Sequence, residues 1–311
     1  MYKSSIESFI GNITVTGKKR IELLASRDAI KKLIFDKFYE DYEIIFRGQG
    51  SYDMHTLINP DAGQEYDLDL GVFIQVKQDK RNSFDRPKTV KNNLKNIVDS
   101  QTNAPTQIKK SCVRVNYASK NYHIDLPVYI EFNDNKYLAR GDDEWMISDP
   151  QANTDWFNKK ASDDLNQIRK TVKLLKAWKS NHAIKFSGLA IAILATNECV
   201  SQGDLFETFC YTTERILENL KKSFSCKKPY FPYNDVLIDL SDNQKSNVID
   251  ALKKLIDYQR TILDSEDVEI VNKCFFKIFG SRFPRIEKID PSKLKQYKSK
   301  PLINNKNESG K

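Results

Sequence analysis

Three aspartates carry the most chemical information in this 311-residue chain. The segment Tyr66-Asp67-Leu68-Asp69-Leu70-Gly71-Val72-Phe73-Ile74-Gln75-Val76 alternates in the period of a strand, whose successive side chains point to opposite faces. Tyr66, Leu68, Leu70, Val72, Ile74 and Val76 form one apolar face, so Asp67 and Asp69 project together from the other. A later segment repeats the pattern, with Tyr122, Ile124, Leu126, Val128 and Ile130 on one face and His123, Asp125 and Glu131 opposite. If both strands bury the same face of one sheet, Asp125 emerges beside Asp67 and Asp69. Two like charges about 4 Å apart repel by roughly 4 kcal/mol at an effective dielectric near 20, so an unneutralised cluster would raise a pKa or push itself apart, and a divalent cation removes the difficulty. All-oxygen ligation with open positions suits Mg2+, with Mn2+ as a substitute, better than Zn2+. Two such ions about 3.5 to 4 Å apart can activate an attacking hydroxyl and stabilise a departing pyrophosphate. Alone, the DxD pattern equally describes the polar face of an edge strand.

Upstream, Ile44-Ile45-Phe46-Arg47-Gly48-Gln49-Gly50-Ser51-Tyr52 reads as a strand entering glycines and then a helix start. Gly50 permits close backbone approach, while Ser51 and free amides at a helix N-terminus can hold phosphate. A capped turn would have the same residues. The spacing adds meaning, because Asp67 follows Ser51 by sixteen residues, Asp69 sits two further on, and Asp125 lies on a separate strand.

The elements that must position these groups fall into two textures. Up to Tyr42 the chain reads as a helical support, with Ile21, Leu24, Ala25, Ala29, Leu33 and Phe38 at helical spacing. Short apolar runs then predict strands over 43–46, 66–76, 108–115, 122–132 and 136–139. Between the second and third of these, Val90, Leu94 and Val98 share a face behind Pro87, which predicts a helix. Beyond Asp149-Pro150 helical patterns cover 162–182, 187–197, 205–224, 244–263 and 268–279. The expected architecture is α/β (α+β): a mixed-sheet lobe with an N-terminal helix over 1–150, a helical lobe over 151–285, a basic tail over 286–311, and the ligand site in the cleft between the lobes.

Composition narrows the class. With 40% hydrophobic and 30% charged residues the chain is globular rather than disordered or fibrous. Its longest apolar stretch, 188–196, is about half of the roughly 20 residues a membrane span needs, and the N-terminus lacks a signal-peptide run. Cys112, Cys199, Cys210, Cys226 and Cys274 are scattered singly, which suggests neither a disulfide framework nor a CxxC metal site and points to a reducing, cytoplasmic setting. The formal net charge is +8, and residues 281–311 alone carry nine Lys or Arg against three acids. Most of the excess therefore belongs to a tail expected to be solvated and mobile beyond about residue 296. Trp156 and Trp178 read as packing residues, and His55 and His123 as hydrogen-bonded structural histidines near the site.

The combination of Gly50-Ser51, Asp67 with Asp69, and Asp125 resembles the DNA polymerase beta-like nucleotidyltransferase superfamily. GQGSYDMHTLINP followed by EYDLDLGVFI looks like the bacterial members related to cyclic GMP-AMP synthase and the vibrio dinucleotide cyclase, the CD-NTase family. The likeness continues through YHIDLPVYIEF, WMISDPQANTDWF and TVKLLKAWKSNHAIKFSGLAIAILA, covering most of residues 42–196. It implies a polymerase beta-like catalytic lobe in which Asp67 and Asp69 ligate two Mg2+ ions and Asp125 completes the site. It also implies that Gln49, Gly50 and Ser51 grip a triphosphate and that Lys176 and Ser187 contact phosphate, with Lys173 a substitute one turn earlier.

The implied activity joins nucleoside triphosphates (ATP, with GTP, UTP or CTP) into a cyclic di- or trinucleotide. In the family this messenger serves CBASS anti-phage signalling through a product-activated effector protein, and a regulatory protein can take part. No cysteine and histidine cluster supplies the zinc insertion of the animal sensor, so no nucleic-acid activator is expected. Read without the resemblance, the residues reach only nucleotidyl transfer. A template-independent RNA-tailing polymerase, a nucleotidyl modifier and a catalytically inactive RNA-binding module remain alternatives at that level.

Overall fold

A computed structural model describes residues 2–59, 65–77, 80, 84–163 and 166–287. The part of the basic tail expected to be mobile, beyond about residue 296, lies outside the described residues. Its eight-stranded sheet is built around β2 (Tyr66–Gln75). β1 (Ile44–Gln49) pairs antiparallel along one edge of β2, while β5 (Tyr122–Leu126) and β6 (Val128–Phe132) run parallel to it. Tyr66 faces Tyr122 and Val72 faces Val128, an offset of 56 residues in both pairings, so β5 and β6 form one line interrupted at Pro127. Proline has no N–H for the ladder, yet its carbonyl still accepts from the Val72 amide at 2.9 Å.

β4 (Val113–Tyr117) lies antiparallel on β5 and carries the short β3 (Gln107–Ile108). The run expected as one strand over 108–115 is thus two, because the Lys109 amide donates to the Cys112 carbonyl and closes a turn between them. β7 (Asn135–Arg140) and β8 (Glu144–Ile147) continue antiparallel from β6.

The apolar face of β2 is the one the alternation predicts. Leu68, Leu70, Val72 and Ile74 pack with Leu23, Ile30 and Ile34 of α2 (Gly17–Lys37) and with Val90, Leu94 and Val98 of α4 (Pro87–Val98). Lys91, on α4, is buried and donates to the carbonyls of Lys109, Lys110 and Gly141, tying the helix to two hairpins. The opposite face carries Asp67 and Asp69 and ends on Phe73, which stacks on Tyr129 with ring centroids 4.5 Å apart.

The change of texture falls at residue 150, where Pro150 opens α5 (Pro150–Asp163) and the Asp149 carboxylate accepts from the Gln151 and Ala152 amides at 3.1 Å. α6 (Gln167–Asn181), α7 (Gly188–Glu198), α8 (Leu205–Lys222), α9 (Asp242–Asp264) and α10 (Val268–Phe279) follow. Capping boxes at Asp204/Glu207 and Ser241/Gln244 start α8 and α9. Trp178, Phe209, Phe275 and Phe279 are buried in their common core, and Trp156 packs partly buried against it.

The N-terminal stretch departs from the expectation of a single support helix in the catalytic lobe. It is two helices, and α1 (Lys3–Ile13) buries Ile6, Phe9, Ile10 and Ile13 in the helical-lobe core, with Phe9 4.7 Å from Phe279 between centroids. The break at 14–16 turns the chain from one lobe to the other. No helix among the described residues is long and apolar enough to cross a membrane.

Candidate active site

Strand register assembles the site. Gln49 lies opposite Asp69, Asp69 opposite Asp125, and Asp125 opposite Arg114, forming one row across β1, β2, β5 and β4. Side chains opposite one another on paired strands share a face, so the alternation that puts Asp69 outward does the same for Asp125. A neighbouring row contains Asp67, His123 and Asn116. Asp67 and Asp69 line a cleft of about 640 Å³ between the sheet and the helical lobe, together with Gln49, Gly50, Ser51 and Lys176.

The turn after β1 fits this floor closely. Gly50 starts the short α3 (Gly50–Asp53) with φ +69°, and a Cβ on it would lie 2.1 Å from Asp69 Oδ2. Only glycine accommodates both the left-handed backbone and that approach. Gln49 is buried, and its Oε1 accepts from Tyr129 Oη at 3.3 Å, fixing the strand end behind the turn.

Electrostatically the floor is frustrated in the absence of a cation. Burial pushes the Asp69 carboxyl well above the ordinary carboxylate range, and the neighbouring Asp67 and Asp125 push it further. Lys176 and Arg114 oppose that rise without cancelling it. Lys176 reaches the cleft from α6, where its Nζ donates to Thr56 O and Thr56 Oγ1 at 3.2 Å each. Burial lowers its pKa to about 8, with Asp67 acting in the opposite direction.

The donor chemistry suits a hard divalent cation, because two cleft carboxylates lie close enough to raise the pKa of one of them. Among the described residues, however, no three His, Cys, Asp or Glu side chains surround a common point. Asp125 is engaged elsewhere: Arg114 Nε donates to its Oδ1 at 2.7 Å and Arg114 Nη2 to its Oδ2 at 2.8 Å. The two rows bring all three aspartates to one face, while their carboxylates divide between the cleft and this pair.

The remaining expected residues separate. Ser187 Oγ accepts from the Ala190 amide at 2.9 Å as the N-cap of α7, and the adjacent Gly188 lines the cleft. Lys173 turns from the cleft to Thr14, donating to its Oγ1 at 3.1 Å. His123 lines the cleft, its Nδ1 3.0 Å from Glu65 Oε2, while its buried Nε2 has no partner among the described residues. His55 sits behind α3 and is held below its ordinary pKa by burial and by Arg169.

Arg114, Lys179, Lys228 and Tyr230 also line the cleft and were not picked out by spacing. Two of them left a signal. Val113, Val115 and Tyr117 alternate as the buried face of β4, which puts Arg114 on the aspartate side, and Lys179 lies three residues after Lys176 on one helix face. Lys228 and Tyr230 come from the segment between α8 and α9, where no period marks them.

Comparison with known proteins agrees with this geometry. Residues 44–129 match the family model for the cyclic GMP-AMP synthase DncV-like nucleotidyltransferase domain. That segment of the chain is therefore similar to a DncV-like nucleotidyltransferase domain. The cyclic GMP-AMP synthase of Escherichia albertii is 27% identical over 256 residues, covering 79% of this chain and 57% of that protein. The chain thus spans little more than half the length of that curated relative. GTP-bound DncV of Vibrio cholerae superposes with a TM-score of 0.69 at 19% identity, covering 91% of this chain and 81% of the other. The CD-NTase CdnG of Bradyrhizobium diazoefficiens in complex with GTP gives 0.76 at 12% identity, covering 90% and 95%. These solved structures share the mixed sheet and helical lobe of the DncV-like fold.

Proposed function

We propose that this chain is a metal-dependent cyclic oligonucleotide synthase that makes a cyclic di- or trinucleotide from nucleoside triphosphates. The observation that carries the reading is the row joining Gln49, Asp69, Asp125 and Arg114 beneath the Gly50-Ser51 turn. Asp67 and Asp69, with Asp125, would hold divalent cations, Mg2+ or Mn2+. When bound, the ions supply Lewis-acid activation of a hydroxyl and neutralisation of phosphate charge.

The protein groups bind and orient. Gly50 lets the donor triphosphate approach the backbone, Ser51 offers hydroxyl and amide donors, and Lys176 and Lys179 present cations from the opposite wall. Ser187 fixes the start of α7 at the rim. A ribose hydroxyl of the acceptor nucleotide attacks the donor α-phosphorus; its O–H bond breaks with the proton passing to water, a P–O bond forms, the bond to the bridging oxygen breaks, and pyrophosphate leaves. A second transfer within the linear intermediate closes the ring. ATP and GTP are the first substrates to test, since related structures hold them.

In this reading the product activates an effector protein in CBASS anti-phage defence in the bacterial cytoplasm, under a regulatory protein and without an obligatory nucleic-acid activator. The test is to incubate the purified protein with four labelled ribonucleotides and Mg2+ or Mn2+, treat with phosphatase, and identify resistant products by mass. A phosphatase-resistant ring is expected. Long 3′ tails on added RNA, with no ring, would establish a tailing polymerase instead.

A further inference from the structure

Arg114 lines the cleft, yet the reaction outlined above gives it no task. Its guanidinium donates to both oxygens of Asp125, at 2.7 and 2.8 Å, while Asp125 itself is 8% exposed and does not line the cleft. Arg114 stands opposite Asp125 in the β4–β5 register, so backbone pairing holds the two groups together. A dication approaching Asp125 therefore meets a guanidinium already in place. The planar fork matches phosphate as well as carboxylate, and the exposed side of Arg114 faces the same space as Ser51 and Lys176.

We propose that Arg114 is a latch on the third carboxylate. It occupies Asp125 until the phosphates of a bound nucleotide draw the guanidinium away, and only then does Asp125 join Asp67 and Asp69 around metal. The latch makes metal binding at Asp125 conditional on nucleotide, which guards against a fully metallated site without substrate. This rests on the reading of Asp67 and Asp69 as metal ligands. Arg114 is a positioning residue in this scheme: it acts through Asp125.

Mn2+ binding to the full chain, followed by electron paramagnetic resonance, tests the latch without any turnover. Without nucleotide, D125N should change the Mn2+ Kd less than about twofold in the wild type but weaken it about tenfold in R114Q. R114Q alone should bind Mn2+ about tenfold more tightly than wild type, because it leaves Asp125 unpaired. A non-hydrolysable ATP analogue should restore the D125N effect in the wild type. Equal D125N effects in the wild type and R114Q without nucleotide would overturn the latch. Should R114Q fail to fold, the wild type decides alone: D125N weakening Mn2+ binding by about tenfold without nucleotide overturns the latch too. D67N separates the two levels: it should weaken Mn2+ binding in every background, and unchanged binding would overturn the metal-site reading itself.

Discussion

Replacing Gly50 by alanine puts a methyl group where the Asp69 carboxylate now lies, with Cβ 2.1 Å from Oδ2 and 3.0 Å from Cγ. Two costs follow, and they differ in kind. Holding a non-glycine residue at φ +69° costs roughly 1–2 kcal/mol. The clash itself is relieved by rotating Asp69, whose charged form burial and the neighbouring Asp67 and Asp125 already disfavour at its present position, so the rotation adds little to the stability loss. Since 1 kcal/mol shifts the melting temperature of a 150–250-residue domain by about 2–4 °C, G50A should melt only a few degrees low.

Turnover responds differently, because a misplacement of about 1 Å in a reacting group can cost on the order of 10²-fold. Gly11 is the control: it lies within α1 with nothing within 4 Å of its added Cβ, so G11A should gain up to about 1 kcal/mol and retain full turnover. Thermal unfolding and nucleotide turnover on G50A, G11A and wild type decide the matter. G50A with wild-type turnover would refute the reasoning that the turn and Asp69 are fitted to one another, whatever its melting temperature.

Asp67→Asn with Asp69→Asn should abolish product while leaving the melting temperature unchanged or slightly raised, since two repelling charges are removed; a collapse in melting temperature would make both residues structural. Lys176, charged at neutral pH, loses its proton in the free protein as pH rises through about 8, so metal-free binding of an ATP analogue should weaken between pH 7 and 9 in wild type and show a flatter profile in K176M. The linkage sign is the one for a depressed lysine: the folded pKa lies below the unfolded value, so wild-type stability should gain between about pH 8 and the ordinary lysine range, a gain that K176M lacks in urea titrations at pH 7 and 10. Lys91→Met should cost at least about 1–3 kcal/mol in urea unfolding, because it strips a buried donor from three carbonyls.

The parts legible in the sequence were those governed by period. Alternation along 66–76 gave the buried face of β2 and the shared side of Asp67 and Asp69, and the helical spacing of Val90, Leu94 and Val98 gave α4. Register between distant strands is not periodic in one strand. That Asp125 sits directly opposite Asp69, and that Arg114 takes up its carboxylate, depends on which strands become neighbours. The placement of α1 was illegible for a related reason, since an apolar stripe of Ile6, Phe9, Ile10 and Ile13 does not say which lobe will cover it. Ser187 illustrates a third case: a serine before a helix has the same sequence signature whether its hydroxyl meets phosphate or caps α7.

The two walls of the cleft carry opposite charge because they come from different kinds of element. Neighbouring strands stand about 4.8 Å apart, so a row of four strands can set acids side by side with backbone hydrogen bonds holding them against their own repulsion. A helix cannot do this as rigidly, but it presents long side chains at three-residue steps along one face, and Lys173, Lys176 and Lys179 of α6 follow that step. Of these, Lys176 and Lys179 line the cleft, while Lys173 is taken by Thr14 in the turn between α1 and α2. A triphosphate between the walls would meet ammonium groups from the helical lobe on one side and cation-bearing carboxylates from the sheet on the other. The ammonium groups come from the helical lobe and the carboxylates from the sheet, and since α1 packs in the helical lobe while α2 covers the sheet, the 14–16 turn and its Thr14–Lys173 bond tie the spacing of the two walls to the chain itself.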